Sequence, residues 1–384
     1  MNRKTVCLSL ACFLMLACGC ATERIRATKA VTNLERVTTP DAMKFDPCVS
    51  RDGKKLTFSA KERGSSRVKP NYDVWVMDTQ DTQSRIQITD DPADDLEPSW
   101  SSDRVTILFD SKRLSKRTIW EQKANGLGGV QQITADVDTN DWDAEVSIDG
   151  NIAFVSEPDN LGYGILRVIT LFAWDERRVV VCDPEGKRLC RIRGTHCSWS
   201  PDGEFLVISS NRARTFFDWL FSNPNNDIWI FRPDGSCLTR LTKHPANDIE
   251  PSWSPDGKMI AFASNRAMKF IEWNNYDLWI VNSDGGGGLT QLTFGGRHEG
   301  HPSWGSDGYI YFHSNWDSRG IENWDIWRMK PVMGRAGVPE DELRVDAASP
   351  VPTDLQKEII DVRLGGTGPE PARPMRVINP ITEK

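Results

Sequence analysis

Short apolar segments separated by turn residues recur along this chain, and they predict β-strands rather than helices. In the clearest run, residues 251–253 are followed by the turn Ser-Pro-Asp-Gly at 254–257 and by the apolar segment 259–263. Two more segments of strand length follow at 276–281 and 289–293. Pro and Gly stand where the chain must turn. The run therefore predicts four consecutive antiparallel strands.

The same turn recurs in degraded form along the chain. Its aspartates are Asp52, Asp103, Asp149, Asp202, Asp256 and Asp307, and their spacings are 51, 46, 53, 54 and 51 residues. A repeat of this length made of short strands is typical of a β-propeller, in which each repeat forms one blade. The sequence predicts an all-β, six-bladed propeller of four-stranded antiparallel blades.

The last repeat lacks a fourth strand, because nothing like residues 289–293 follows the segment 325–329. Upstream, residues 34–38 resemble the fourth strand at 85–89 but have no first three strands of their own. Pairing this N-terminal strand with the last blade would close the ring and cover two exposed sheet edges. We therefore predict a propeller that spans residues 34–329.

Tryptophans occupy equivalent places in the first and third strands of the repeats. They are Trp100, Trp199, Trp253 and Trp304 in first strands, and Trp75, Trp120, Trp229, Trp279 and Trp327 in third strands. Large rings at repeated positions fill the space between stacked sheets. We assign these nine residues to packing rather than to ligand binding.

The first twenty residues have the features of a secretory signal, with Arg3 and Lys4 before a short apolar stretch and small residues after it. Their end resembles a bacterial lipobox, in which a cysteine receives lipid. Cys20 fits this pattern better than Cys18. We expect a signal peptide at 1–20, a linker at 21–33 and a Pro-rich tail at 330–384, with the protein held by its lipid on the periplasmic side of the outer membrane.

The chain is acidic, with 54 Asp and Glu against 47 Lys and Arg, and no basic run lies on a predicted face. Nucleic-acid binding is disfavoured, because phosphate neutralisation needs clustered cations. We expect a monomer. Cys182 and Cys190 flank a predicted hairpin turn, so a disulfide between them in an oxidising compartment is one hypothesis.

The residue six positions before the turn aspartate is acidic or histidine in every repeat. These residues are Asp46, Glu97, Asp143, His196, Glu250 and His301. We expect them to begin the innermost strands and to ring one mouth of the central channel. One explanation is a polar cap on each strand. The other is a ligand or cation site, in which His196, Glu250 and His301 would hold a divalent metal such as Zn or Mn, with further ligands from His298, Glu299 or His313.

The loops between second and third strands should emerge on the same face, and several are rich in aromatic residues. Six of these residues are Phe217, Trp219, Phe221, Phe270, Trp273 and Trp316. They could form small satellite cores over the propeller. Alternatively they form an aromatic rim that binds a protein partner or a glycan.

The segments 254–258, 260–266, 277–280 and 291–293 resemble the repeat of the TolB C-terminal propeller. The resemblance covers about residues 34–329 and implies a protein-binding module or scaffold in the cell envelope, without catalysis and without a cofactor. It also implies an envelope protein as partner, in the way that TolB binds the peptidoglycan-associated lipoprotein. We expect the N-terminal α/β domain of TolB to be absent here.

Two enzyme classes have similar repeats. Prolyl-oligopeptidase-like peptidases are excluded at this point, since the chain has no Gly-x-Ser-x-Gly motif. Oligogalacturonate lyases are propellers with a histidine-rich metal site. The set His196, His298, His301 and His313 therefore keeps a second hypothesis open, a metal-dependent lyase or hydrolase that acts on acidic oligosaccharides.

Overall fold

The computed structural model of the chain describes residues 26–62, 70–136, 138–158, 177–213, 225–267, 275–285, 287–295, 297–315 and 324–332. Strands and turns account for the regular structure of this part of the chain. No helix in it is long and apolar enough to cross a membrane.

The strands follow one another in chain order, four to a repeat. Before the first blade come β1 (Arg26–Ala27) and β2 (Val31–Arg36). Blade one is β3 (Ala42–Val49), β4 (Lys55–Glu62), β5 (Asp73–Asp78) and β6 (Ile86–Gln87). Blade two is β7 (Asp95–Trp100), β8 (Thr106–Ser111), β9 (Thr118–Lys123) and β10 (Gln131–Gln132). Blade three is β11 (Thr139–Val146), β12 (Ile152–Pro158), β13 (Arg178–Cys182) and β14 (Arg188–Arg193).

The remaining blades continue this order. Blade four is β15 (Thr195–Trp199), β16 (Leu206–Ser210), β17 (Asp227–Phe231) and β18 (Thr239–Arg240). Blade five is β19 (Asp248–Trp253), β20 (Met259–Ser264), β21 (Asp277–Asn282) and β22 (Thr290–Gln291), followed by β23 (Thr293–Phe294). Blade six is β24 (Glu299–Trp304), β25 (Ile310–Ser314) and β26 (Asp325–Pro331), with β2 as its outer strand.

The described strands form six four-stranded antiparallel sheets, which confirms the predicted propeller. Strand β2 pairs with β26, so the N-terminal segment closes the ring as predicted. This closing strand spans Val31–Arg36 and begins earlier than the predicted segment 34–38. A second closure was not predicted, because β1 also pairs with β23 at the outer edge of blade five.

Thr38 explains why the upstream segment matches a fourth strand. Its Oγ1 accepts a hydrogen bond of 3.0 Å from the backbone N–H of Ile326 in the third strand of blade six. In blade one, Thr89 Oγ1 accepts the equivalent bond of 2.9 Å from the N–H of Val74. The threonine thus fixes the bend after each short outer strand, and the closing segment carries the same device.

The repeated turn is stabilised by its own side chains. Ser254 Oγ donates to Asp256 Oδ1 at 2.7 Å and accepts from the N–H of Met259 at 2.9 Å. Gly257 has φ +70°, a conformation that costs glycine little. The repeated turn that marks the sequence is therefore a local structural motif.

Blade three differs from the other blades at its outer edge. Strand β14 is six residues long, and only Gly194 separates it from β15. The blade thus lacks the linker that follows the other outer strands, which accounts for its weak match to the repeat. Cys182 and Cys190 are free thiols, so the predicted disulfide is wrong: Cys182 pairs with Arg188 and Cys190 with Val181 in the strand register.

The hydrophobic core is divided among the spaces between neighbouring blades. In the space between blades four and five, for example, Trp253 and Trp279 pack with Val207 and Ile228. Eight of the nine repeated tryptophans are buried and Trp304 is partly buried. Their assignment to packing is confirmed.

Candidate functional site

The six residues singled out by spacing share one backbone conformation. Their φ angles lie between 49° and 55°, in the left-handed region that residues other than glycine rarely adopt. We call Asp46, Glu97, Asp143, His196, Glu250 and His301 the axial ring. Each lies at a break in the pairing of the first and second strands.

Each break is a β-bulge, which bends the strand and redirects a side chain. The axial ring therefore lies within the inner strands rather than at their beginnings, which corrects the expected position. Glu97, for instance, is in the third place of β7, between the pairs Leu96–Asp110 and Ser99–Leu108. In four blades a proline, whose own φ is fixed at about −65°, follows the left-handed ring residue: Pro47, Pro98, Pro251 and Pro302.

The ring residues converge on one space at the propeller axis. Burial alone would lower the pKa of His301, but the carboxylates of Asp46, Glu250, Asp143 and Glu97 outweigh it and raise that pKa. Asp143 lies on the blade opposite His301, so an interaction between them requires that both side chains point to the axis. Asp46 Oδ1 lies 4.0 Å from His301 Nε2, which joins the two ends of the ring.

The carboxylates compete for this space. Burial and the charges of Glu97 and Glu250 raise the pKa of Asp46 to about 6, although His301 opposes the shift. Burial and Glu97 raise the pKa of Asp143 well above its usual range. The raised pKa values mean that Asp46 and Asp143 take up protons more readily than ordinary carboxyl groups, because the described residues do not supply enough positive charge to balance the ring.

Arg117 is the main cation near the ring. Its Nη2 lies 3.2 Å from Glu97 Oε1, and its Nε donates to Asp110 Oδ2 at 2.5 Å. Asp110 comes from the second strand of blade two and is 2% exposed. The guanidinium also covers Trp142, with its carbon 5.2 Å from the ring centroid. Arg117 therefore ties blade two to blade three beside Glu97.

A second polar group lies beside the ring in blade six. A Cβ atom at Gly300 would lie 2.8 Å from His313 Nε2, 2.9 Å from Glu250 Oε2 and 3.1 Å from His298 Nε2. The imidazoles of His298 and His313 are 6.1 Å apart between centroids, and Trp324 packs against both. Three nitrogen and oxygen atoms thus surround the space that a side chain at position 300 would fill.

Gly300 is visible in the aligned repeats, but the constant spacing of the ring residues did not point to it. The residue before the ring position is Phe45, Leu96, Trp142, Thr195, Ile249 or Gly300 in the six repeats. Blade six, which also contains His313, is the repeat with no side chain at this position. Burial lowers the pKa of His313 to about 3, so this imidazole is neutral, whereas the surrounding imidazoles outweigh burial and lower the pKa of Glu250 to about 2.

The opposite end of the channel, formed by the repeated turns, carries a guanidinium group. Arg51 Nη2 donates to the backbone oxygen of Val146 at 3.3 Å, a bond between blades one and three, which are not neighbours. The guanidinium therefore lies across this end of the channel. Nothing in the repeat pattern indicated that role.

The family described as TolB beta propeller domain matches residues 195–333. The chain is a TolB-like β-propeller. Tol-Pal system protein TolB of Anaeromyxobacter dehalogenans is 29% identical over 107 residues, which are 28% of this chain and 20% of that protein. Uncharacterized protein Atu1656 of Agrobacterium fabrum is 30% identical over 114 residues, 29% of this chain and 36% of that protein. The matched part of this chain thus covers little more than a third of the length of Atu1656 and a fifth of the length of TolB.

Two solved structures show the same fold at low sequence identity. TolB from Acinetobacter baumannii has a TM-score of 0.50 at 16% identity, covering 73% of this chain and 64% of that one. Oligogalacturonate lyase from Vibrio parahaemolyticus has a TM-score of 0.50 at 15% identity, covering 81% of this chain and 98% of that one. Structural similarity at such low sequence identity establishes the propeller fold alone. The chemistry of this chain has to be inferred from its own site residues.

Several predicted residues lie outside the described part of the chain. These are Cys18 and Cys20 of the N-terminal segment and the rim residues Phe217, Trp219, Phe221, Phe270, Trp273 and Trp316. Among the predicted metal ligands, the N–H of His301 donates to Glu250 Oε2 at 2.7 Å, and His196 lies near enough to influence Glu250. Within the described ranges, no group of three or more His, Cys, Asp or Glu residues has the arrangement of a metal site.

Proposed function

We propose that this TolB-like propeller is a binding module of the cell envelope that captures a protein partner on the face above the axial ring. Relatives named as Tol-Pal system proteins support this class of function. The N-terminal segment with Cys20 supports export and lipid anchoring at the periplasmic side of the outer membrane. The partner class is an envelope protein, with a peptidoglycan-associated lipoprotein as the first candidate.

The observation that carries the proposal is the backbone of the axial ring. Six residues that are not glycine hold left-handed φ values, and each such residue costs on the order of 1 kcal/mol or more. Glycine would relieve this cost without disturbing the bulge. A polar side chain in every repeat is therefore kept at the expense of stability, which is expected of a binding surface and not of a strand cap.

The rim residues provide the test of partner capture. We expect the triple variant F217A/W219A/W273A to lose at least about nine tenths of captured partner, because aromatic anchors carry most of the energy of such interfaces. The measurement is cross-linking in intact cells, followed by identification of the captured protein by mass spectrometry and of the peptidoglycan-associated lipoprotein by antibody.

A matched control removes apolar side chains elsewhere on the surface. Ile86, Leu114 and Leu127 are 52%, 58% and 67% exposed, so I86A/L114A/L127A should unfold like wild type and capture the same partner. Equal loss in both triple variants, or full capture by the rim variant, would argue against a partner on the ring face.

A second function, a metal-dependent lyase or hydrolase acting on acidic oligosaccharides, is favoured by one observation. His298 Nε2, His313 Nε2 and Glu250 Oε2 surround the space beside Gly300 at 2.8–3.1 Å from a single point. Metal bonds to such ligands are about 2.0–2.2 Å long. That point is the Cβ position of a residue at 300, one bond from Gly300 Cα, so an ion would lie beside it and the three side chains would have to move to meet the ion.

Gly300→Ala tests this second function without changing any ligand. If a metal binds, protein purified without a chelator should contain about one Zn or Mn per chain by mass spectrometry, and the methyl group in G300A should remove it. The control is Gly295→Ala, since a Cβ at Gly295 meets nothing within 4 Å. Metal-free wild-type protein would contradict the metal-dependent function. Metal retained equally in G300A, H196A and H301A would contradict it as well.

A further inference from the structure

Three residues of the axial ring each have a buried polar atom without a hydrogen-bond partner. Glu97 Oε2, Asp143 Oδ2 and His196 Nδ1 are buried atoms without a partner among the described residues. They belong to three consecutive blades. On the other half, His301 bonds to Glu250 through its N–H and lies beside Asp46. Buried polar atoms in native proteins are nearly always paired, so these three atoms call for a partner from outside the described residues.

A small, positively charged group suits these atoms and the carboxylates around them. The side chains of Asp46, Glu97 and His301 are only 15%, 19% and 24% exposed, so the space at the axis admits a narrow group. Acceptors on three blades suit a cation with several N–H donors pointing apart. An ammonium group has three such donors and a guanidinium has five. Each bond to a carboxylate is charge-assisted and therefore strong.

The two ends of the channel differ in their suitability for entry of a cation. The turn end carries the guanidinium of Arg51, bonded to Val146 on a blade that is not its neighbour. This positive charge repels a cation that approaches from the turns. The ring end carries carboxylates, which attract it. A cationic group should therefore enter from the face on which the loops between second and third strands emerge.

We propose that the axial ring binds one ammonium or guanidinium group, carried on the flexible end of a longer ligand that enters from the ring face. Glu97, Asp143 and His196 accept its hydrogen bonds, and Arg51 bounds the space behind it. The ammonium or guanidinium is thus the chemical group that the ring recognises in the proposed function. That a protein partner carries this group rests on the proposed function. A lysine or arginine side chain of a partner and a free diamine both offer this chemistry.

Isothermal titration with small probes tests the inference on the full chain. The probes are N-acetyl-lysine amide, N-acetyl-arginine amide and 1,5-diaminopentane, with N-acetyl-norleucine amide as the neutral match. We expect the cationic probes to bind in the millimolar range or tighter and the neutral probe at least about tenfold more weakly. Stronger binding of the amino-acid amides than of the diamine identifies a polypeptide as the carrier, and the reverse identifies a free amine; either supports the ring as the site.

Variants at both ends of the channel should respond in opposite directions. The double variant E97Q/D143N should weaken the cationic probes at least about tenfold, whereas R51Q should strengthen them by removing a repulsive charge. Asp78→Asn, on the exposed end of a third strand, should change nothing. Thermal unfolding of each variant shows that the protein remains folded.

Three results would overturn the inference: equal binding of the neutral probe, unchanged binding in E97Q/D143N, or uptake of Zn, Mn or Ca ions with no response to the amines. Weaker binding in R51Q would overturn the direction of entry. Partner capture can survive any of these results, because the rim variants test it with a protein and not with a small cation. Loss of capture with intact amine binding would instead remove the proposed carrier.

Discussion

Deletion of residues 26–38 is expected to unfold the propeller rather than to weaken it slightly. The deletion removes β2 and exposes the edge of β26, to which it is paired from Val31 to Arg36. It also removes Ala30 and Val37, which are buried in the clusters on either side of blade six. Burial of a side chain the size of Val37 stabilises a fold by about 1.5–3 kcal/mol, and burial of Ala30 adds less. With the lost strand pairing, the total approaches the 5–15 kcal/mol that typically holds a domain together.

The measurement is urea unfolding followed by circular dichroism, with smaller variants to separate closure from general damage. Thr38→Val and Thr89→Val each remove one equivalent bond to a third-strand N–H, so each should cost about 1–3 kcal/mol. Glu35→Gln, at a half-exposed residue of β2, should change stability by less than about 0.5 kcal/mol. A deletion variant that still unfolds cooperatively near the wild-type urea midpoint would show that the ring does not need its N-terminal strand.

The architecture could be predicted because every repeat carries the same local chemistry. Turns such as 254–257 depend on residues that lie within five positions of one another, and their spacing records the blade. Thr38 could be matched to Thr89 for the same reason, since both fix the bend after an outer strand. The ring residues were found by their constant offset from the turn. Their bulged backbone was not, because a left-handed residue that is not glycine leaves no mark in composition.

The parts that could not be predicted join residues from different repeats. Arg117 of blade two covers Trp142 of blade three, and Arg51 of blade one meets Val146 across the channel. Such pairs depend on the radius of the closed ring, which no single repeat specifies. Gly300 is an intermediate case. The glycine was visible in the aligned repeats. That its missing side chain leaves space between His298 and His313 could be seen only from the structure.

Glu145 is the ring-side residue whose effect on stability should depend most on pH. It stands where blades two, four, five and six carry Ser99, Ser198, Ser252 and Ser303. Its Oε2 accepts a bond of 2.5 Å from the N–H of Trp199, as Ser252 Oγ accepts one of 3.2 Å from Trp304. Burial raises the pKa of Glu145 to about 7, although the Trp199 bond and the charge of Arg51 oppose the shift. Blade three thus holds a carboxyl group where its neighbours hold a hydroxyl.

A carboxyl group with a raised pKa in the folded state destabilises the fold at high pH. Below a pH of about 4.5, Glu145 is protonated in both states and has no effect; above it, the unfolded state ionises first and is favoured. The penalty grows until the pH passes about 7, where it reaches about 3 kcal/mol, because each pKa unit corresponds to 1.36 kcal/mol. Glu145→Gln keeps the acceptor oxygen and removes the charge. The variant should therefore gain about 2–3 kcal/mol on wild type between pH 5 and pH 8.

Urea unfolding of wild type, E145Q and E145S at both pH values measures this difference directly. Other buried groups, such as His313, also titrate in this range, but they are common to all three proteins and cancel in the comparison. Glu204→Gln, at a residue whose side chain is 59% exposed, should show no such gain. If the stability difference between E145Q and wild type is the same at pH 5 and pH 8, Glu145 is ionised in the folded protein. Arg51 would then be its counter-ion, and the charge of Arg51 would no longer oppose the entry of a cation at that end of the channel.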